Sequence, residues 1–180
     1  MKFTETKLKG AYIIDIEKRS DDRGFFARTW SLEEFAKTGL NTNLVQQNMS
    51  LTLKRGTLRG MHFQKAPYSE TKIIRVTQGA IYDVIIDLRK ESQTYRRWIG
   101  IKLTSDNYKM LYVPEGFAHG FVTLANNCEV SYLVTALYSP KFERGVRFDD
   151  PAFKIKWPVE IKYISEKDAS FPNYKSSFRA

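Results

Sequence analysis

Between Leu44 and Leu137 the chain is a succession of short runs rich in valine, isoleucine, leucine and aromatic residues, and this most narrows what it can fold into. The runs are Leu44–Leu53, Lys72–Thr77, Ala80–Leu88, Trp98–Leu103, Lys109–Val113, Phe121–Leu124 and Glu129–Leu137. Turn signals such as Gln78-Gly79, Ser105-Asp-Asn and Ala125-Asn-Asn separate them. A strand sends successive side chains to opposite faces, so runs of this kind bury one face by packing against a second sheet. Many short strands with few helical patterns predict an antiparallel sandwich or barrel rather than β-α-β units, and a jelly roll fits best. The fold class is therefore all-β with one or two short helices.

Upstream, residues 8–18 read as a first strand and residues 20–28 as a loop. Ser31-Leu-Glu-Glu-Phe-Ala-Lys reads as a short helix, with an N-cap serine, Glu34 at the capping-box position and Gly39 just past its end. After Trp157-Pro158 the pattern is less regular, although Ser165-Glu-Lys-Asp has the composition of a helix start. With 180 residues and no linker or repeat, one domain over 1–180 is expected.

Composition bounds the surroundings. No apolar run approaches the ~18 residues that span a bilayer, and Met1-Lys-Phe-Thr-Glu-Thr-Lys lacks a signal peptide's apolar core. The single cysteine, Cys128, permits no internal disulfide, so a cytoplasmic location is expected and a structural role for that thiol. The net charge of +9 favours an anionic partner. The basic residues are scattered among acidic neighbours without a dense block or nucleic-acid motif, which points away from nucleic acid and toward a solvated surface or an anionic metabolite.

The chain has two histidines, His62 in Thr57–Gln64 and His119 in Pro114-Glu-Gly-Phe-Ala-His-Gly-Phe. Each lies beside glycines that break an apolar run, the pattern of side chains aimed into a cavity from strand ends. The spacing Gly56-x5-His62 and Pro114-x-Gly-x-x-His119 resembles the two signatures of the cupin superfamily. Metal-binding cupins carry a second histidine two residues after the first, where this chain has Gln64, so His62, Gln64, Glu70 and His119 form a poor nitrogen-rich set and no metal is expected. Proton transfer is the alternative, since an imidazole with a carboxylate on its second nitrogen can act as a base near neutral pH. Asp83 and Asp168 are both candidates for that carboxylate. Lys72 could steady an enolate oxygen and a buried Tyr132 could return a proton. Taken alone, each of these residues also suits an ordinary structural role.

Together, Asp22-Arg-Gly-Phe-Phe, Gln47-Asn-Met-Ser, Arg59-Gly-Met-His-Phe-Gln, Lys72-Ile-Ile-Arg-Val, Asp83-Val-Ile-Ile-Asp-Leu-Arg, Tyr112-Val-Pro-Glu-Gly-Phe-Ala-His-Gly-Phe, Val130-Ser-Tyr132, Tyr138-Ser-Pro and Ser165-Glu-Lys-Asp168 resemble the dTDP-4-dehydrorhamnose 3,5-epimerase family. The likeness runs from about Leu8 to about Pro172. It implies a cupin-type jelly roll without metal or cofactor that inverts carbons 3 and 5 of a nucleotide-diphospho-4-keto-6-deoxyglucose. By resemblance His62 is the base, Asp168 its carboxylate partner, Lys72 the enolate stabiliser and Tyr132 the acid on the opposite face. Arg23 and Arg59 resemble pyrophosphate contacts, and Gln47, Asn48 and His119 resemble substrate contacts. Tyr138 resembles the residue that stacks on the base, with Glu143 and Lys167 as further polar contacts.

The chain departs from the family pattern in two places. Ala27 and Arg28 stand where many members have an aromatic residue and a base-touching glutamate, so the base-facing position holds a donor-only cation. Ser69-Glu70-Thr71 replaces the Gln-Gly that commonly precedes the lysine. A CDP-linked or other NDP-linked ketosugar therefore stays open beside the dTDP sugar, and a single inversion does too because the family the chain resembles includes members that invert one carbon only. The resemblance further implies a homodimer that exchanges N-terminal strands, placing Arg23 and Phe26 at the neighbour's nucleotide, and a product that feeds deoxysugar and polysaccharide synthesis. Rival readings are a metal-dependent cupin using His62, Gln64, Glu70 and His119, and a non-catalytic sugar-nucleotide binder.

Overall fold

The computed structural model describes residues 1–175. In chain order the first elements are β1 (Lys2–Glu5), β2 (Tyr12–Asp15), β3 (Arg19–Asp21), β4 (Gly24–Phe26) and helix α1 (Leu32–Lys37). The central strands are β5 (Gln46–Thr52), β6 (Thr57–Gln64), β7 (Lys72–Gln78), β8 (Ala80–Asp87), β9 (Trp98–Thr104), β10 (Met110–Val113), β11 (Phe117–Thr123) and β12 (Cys128–Val134). Next come β13 (Glu143–Gly145), β14 (Tyr163–Ile164) and helix α2 (Glu166–Ala169).

Two sheets face each other in jelly-roll fashion, one ordered β1-β2-β10-β7-β12-β5 and the other β13-β6-β11-β8-β9 with β14 alongside β6. Alternation decides which side chains meet between them. Ile74 and Val76 of β7, Cys128 and Val130 of β12, Ile81 and Ile85 of β8, and Phe117 and Phe121 of β11 pack as one buried cluster. Further along the same inward-facing rows the apolar residues give way to Lys72, Tyr132 and His119, which line a cavity. The period that builds the core therefore also delivers the polar groups.

The outward faces are covered separately. Phe35 of α1 packs on Ile14, Ile73, Met110 and Tyr112 of the first sheet. Met61, Phe63, Val84, Ile86 and Ala118 of the second sheet pack against Val146, Phe153 and Trp157 from the C-terminal segment. On β5, alternation turns Met49 and Leu51 outward, and both are exposed.

Three expectations need correction. The strand expected over residues 8–18 is interrupted at Gly10, whose φ of +84° turns the chain before β2 begins at Tyr12. The loop expected over 20–28 contains a hairpin, β3 against β4, closed by the Arg23 N–H donating to Asp21 Oδ1 at 2.9 Å. The histidines sit in mid-strand, paired directly across β6 and β11, rather than at strand ends. The α1 start is capped as expected, with Ser31 Oγ accepting from the Glu34 N–H at 3.5 Å. The Glu34 carboxylate does not complete the box, because the Met1 amine and Arg28 engage it.

Candidate active site

The site begins with an irregularity in β6. Phe121 of β11 pairs with Arg59 and His119 pairs with His62, so three steps along β6 match two along β11. That extra residue is a β-bulge, and it brings two side chains that plain alternation would send to opposite faces into the same cavity. The approach of the strands is possible only with glycine. A Cβ at Gly60 would lie 2.5 Å from the Gly120 Cα, and one at Gly120 would lie 2.7 Å from the Arg59 carbonyl oxygen.

A carboxylate 106 residues away in sequence completes the His62 arrangement. β14 runs parallel to β6, pairing Tyr163 with Thr57 and Ile164 with Leu58, and so leads the chain into α2 beside the bulge. Ser165 caps α2 by accepting from the Asp168 N–H at 3.1 Å. Asp168 Oδ1 then lies 2.7 Å from His62 Nε2, while Oδ2 accepts from the Gly60 N–H at 3.1 Å. Burial opposes ionisation of Asp168, but hydrogen bonds from His62, the Gly60 N–H and Ser165 outweigh it and hold the carboxyl below its ordinary range. The Phe171 ring stands edge-on to the imidazole at 5.5 Å. Of the two carboxylates proposed from sequence for His62, Asp168 occupies that place. Asp83 instead lies 2.5 Å from His119 Nε2 and is fully buried.

His62, Lys72, His119, Tyr132 and Asp168 all line one cavity of about 300 Å³, with Arg59, Ser50 and Lys167. A second compartment of about 400 Å³ shares His62, Lys72, Tyr132 and Lys167 and adds Asn48, Glu70, Tyr138 and Glu143. The Tyr132 phenol is pushed up, chiefly by burial and then by the Glu70 carboxylate, with Arg59 pulling the other way. It therefore stays protonated well above neutral pH, as a proton donor must. Lys72 Nζ lies 2.9 Å from Glu70 Oε1. Arg59 is held by Nε donating to Thr52 Oγ1 at 2.9 Å and Nη2 to the Leu51 carbonyl at 3.3 Å.

Three residues expected to bind substrate make one polar cluster around the second compartment. Glu143 Oε2 accepts from Tyr138 Oη at 2.7 Å and from Lys167 Nζ at 2.6 Å. Burial opposes the charge on Glu143, but these two donors hold its carboxyl below its usual range. The same contacts raise Tyr138 and Lys167, each through its hydrogen bond to Glu143 first.

Other expected residues lie elsewhere. Gln47 neighbours Asn48 on β5, so alternation turns it to the opposite face, where its Nε2 donates to Ser131 Oγ at 3.1 Å. Arg23 is exposed on the β3–β4 hairpin and paired with Asp21 at 2.6 Å. Arg28 is paired with Glu34 at 2.9 Å. Neither arginine reaches the cavity of its own chain. The four candidate metal ligands lie near one another, but each is engaged by other partners. Gln64 donates to the Tyr68 and Leu137 carbonyls and accepts from the Ser139 N–H, while Glu70 is paired with Lys72. Among the described residues no three His, Cys, Asp or Glu side chains gather as a metal set.

Ser50, Ser165 and Gln46 also line the two compartments and were not anticipated. Gln46 and Ser50 could have been read from Asn48, since positions two apart on a strand share a face.

A model of the dTDP-4-dehydrorhamnose 3,5-epimerase family matches residues 5–176. The chain belongs to the dTDP-4-dehydrorhamnose 3,5-epimerase family. It is 43% identical over 173 residues to the dTDP-4-dehydrorhamnose 3,5-epimerase of Methanothermobacter thermautotrophicus, covering 94% of this chain and 92% of that one. The crystal structure of the Bacillus anthracis dTDP-4-dehydrorhamnose 3,5-epimerase with TDP and PPi bound superposes with a TM-score of 0.93 at 43% identity, covering 96% and 99% of the two chains. The dTDP-4-dehydrorhamnose 3-epimerase of Streptomyces niveus is 34% identical over 169 residues, covering 93% of this chain and 81% of that one.

Proposed function

We propose that this chain inverts carbons 3 and 5 of dTDP-4-dehydro-6-deoxyglucose to give dTDP-4-dehydrorhamnose. The observation that carries this reading is the His62–Asp168 pair at 2.7 Å, facing a cavity also lined by Lys72 and Tyr132. Carbons 3 and 5 flank the ketone, and only protons beside a carbonyl are acidic enough for a side-chain base. In the proposed step His62 takes the proton and the released electron pair moves onto the ketone oxygen. Asp168 steadies the imidazolium, the Lys72 ammonium steadies the enolate oxygen, and Tyr132 returns a proton from the opposite face. Once His62 has released its proton to water and Tyr132 has taken one up from water, repetition at the other carbon completes the double inversion.

Arg59 is suited to grip the diphosphate through its planar guanidinium. Asn48 and His119 are suited to the sugar, and Tyr138, Glu143 and Lys167 to the nucleotide end. The enzyme is proposed to act in the cytoplasm, and no helix among the described residues is long and apolar enough to cross a membrane.

A homodimer is part of the proposal. Arg23 and Arg28 lie outside the cavity of their own chain, and Met49 and Leu51 leave apolar surface exposed on the first sheet. A second copy packed there would cover that surface and carry its N-terminal arginines to the neighbour's nucleotide. A single inversion is the second reading, favoured by the identity with the Streptomyces niveus 3-epimerase.

Incubation with dTDP-4-dehydro-6-deoxyglucose in deuterated water, followed by mass and proton spectra of the sugar nucleotide, tests the proposal. Deuterium at both carbons is the expected result. Label at one carbon selects the single inversion, and no label with the dTDP sugar overturns the proposed substrate.

A further inference from the structure

Glu70 stands two residues before Lys72, and its carboxylate takes up the Lys72 ammonium with both side chains mostly shielded, at 12% and 14% exposure. Lys72 has no hydrogen bond and no other ionic partner among the described residues. The segment carrying Glu70 is anchored to the neighbouring chain just past the end of β12. The Thr71 N–H donates to Thr135 Oγ1 at 2.8 Å, and the Thr135 N–H donates to the Thr71 carbonyl at 3.2 Å. Glu70 is therefore a fixed point, and a lysine side chain with four rotatable bonds is tied to it.

We infer that Glu70 is a positioning residue for the epimerisation, holding the Lys72 ammonium where the ketone oxygen of the sugar arrives. The inference rests on the epimerase reading above. An ammonium has three N–H donors, and an ion pair with Glu70 that occupies at most one of them leaves two for an oxygen in the cavity. A donor fixed before charge develops on that oxygen needs no reorganisation as the enolate forms, and its benefit falls on the transition state. Direct contact between Glu70 and the substrate is disfavoured, because a nucleotide diphosphate is anionic and a second carboxylate would repel it. Glu70 acts through Lys72. The position is also where this chain departs from the glutamine common in the family, so the isosteric amide is a natural control.

Steady-state kinetics of Glu70→Ala and Glu70→Gln test the inference. Glu70→Ala should lower kcat by about 10- to 100-fold with KM changed less than about threefold, the signature of an interaction made in the transition state. Glu70→Gln keeps an acceptor for the ammonium and should recover most of that loss. A second arm needs no turnover. In protein labelled with 15N-lysine, the Lys72 ammonium resonance, identified by its loss in Lys72→Arg, should be protected from solvent exchange in the parent and exposed in Glu70→Ala. An unchanged resonance or an unchanged kcat in Glu70→Ala overturns the inference. So does a Glu70→Gln variant no better than alanine, with KM rising in step with the fall in kcat. Should the parent itself fail to exchange deuterium, the epimerase reading is what fails, and the ammonium signal still decides whether Glu70 holds Lys72.

Discussion

The two histidines face each other across β6 and β11, and each has a carboxylate on Nε2, at 2.7 Å for His62 and 2.5 Å for His119. Their surroundings differ. Asp168 arrives from a helix over a long crossover, and its two oxygens are satisfied by His62 and the Gly60 N–H. Asp83 comes from the adjacent strand, with no exposure to solvent and with Oδ2 accepting no hydrogen bond among the described residues. The His62 side chain is 29% exposed toward the cavity, against 12% for His119. One pair combines access with a fully used carboxylate, which suits proton transfer. The other is locked into the strands and suits holding a ligand. In the proposed mechanism the same two residue types take different roles because burial and hydrogen bonding differ, as nearby titratable groups often do at functional sites.

The largest effect should come from breaking the His62 side. His62→Ala is expected to lower the rate of deuterium uptake by about 10³-fold while nucleotide-sugar affinity changes less than about threefold, measured by exchange kinetics and calorimetry. Equal loss of affinity and rate would reduce His62 to the binding role proposed for His119. Asp168→Asn keeps the shape but not the charge behind the imidazole, and kcat should fall by about 10²-fold. An undiminished kcat would mean that the two carboxylates are equivalent in being structural.

On the other side, His119→Asn should act mainly through KM, raising it about tenfold with kcat within about threefold. A collapse of kcat at constant KM would place His119 in the proton-transfer machinery and dissolve the distinction.

The smallest effect is on stability and depends on pH. Asp168 is held below its ordinary range in the folded protein, so its ionised form favours the folded state. That contribution is complete above the unfolded carboxylate pKa of about 3.9 and is lost as pH falls through the depressed folded value. Denaturant titrations of the parent and Asp168→Asn should therefore differ at neutral pH and converge on acidification below about pH 4. A gap that persists at the acid end would show that the asparagine acts through packing instead of charge.

Much of the barrel was legible because its signals are local. The alternation in Lys72–Thr77 or Ala80–Leu88 is set by side chains within one strand, so those elements appear in the structure within a residue or two of their expected ends. Ser31 and Ser165 announced both helices for the same reason, since an N-cap bond spans three residues. The broken strand at Gly10 and the β3–β4 hairpin were missed where glycine conformation decided the path.

By itself the sequence determined the all-β class, the inventory of acids, bases and cations, and, through its motifs, the family. It did so because period, capping and residue type are properties of neighbours along the chain. Residue pattern left Asp83 and Asp168 both open, and only the family resemblance chose Asp168. Tertiary structure is what brings it to His62, and it alone decided that Arg59 and His62 share a face across the bulge and that Gln47 turns away. Those choices follow from strand register and from the parallel docking of β14 on β6, contacts between residues far apart in sequence, which no local pattern encodes.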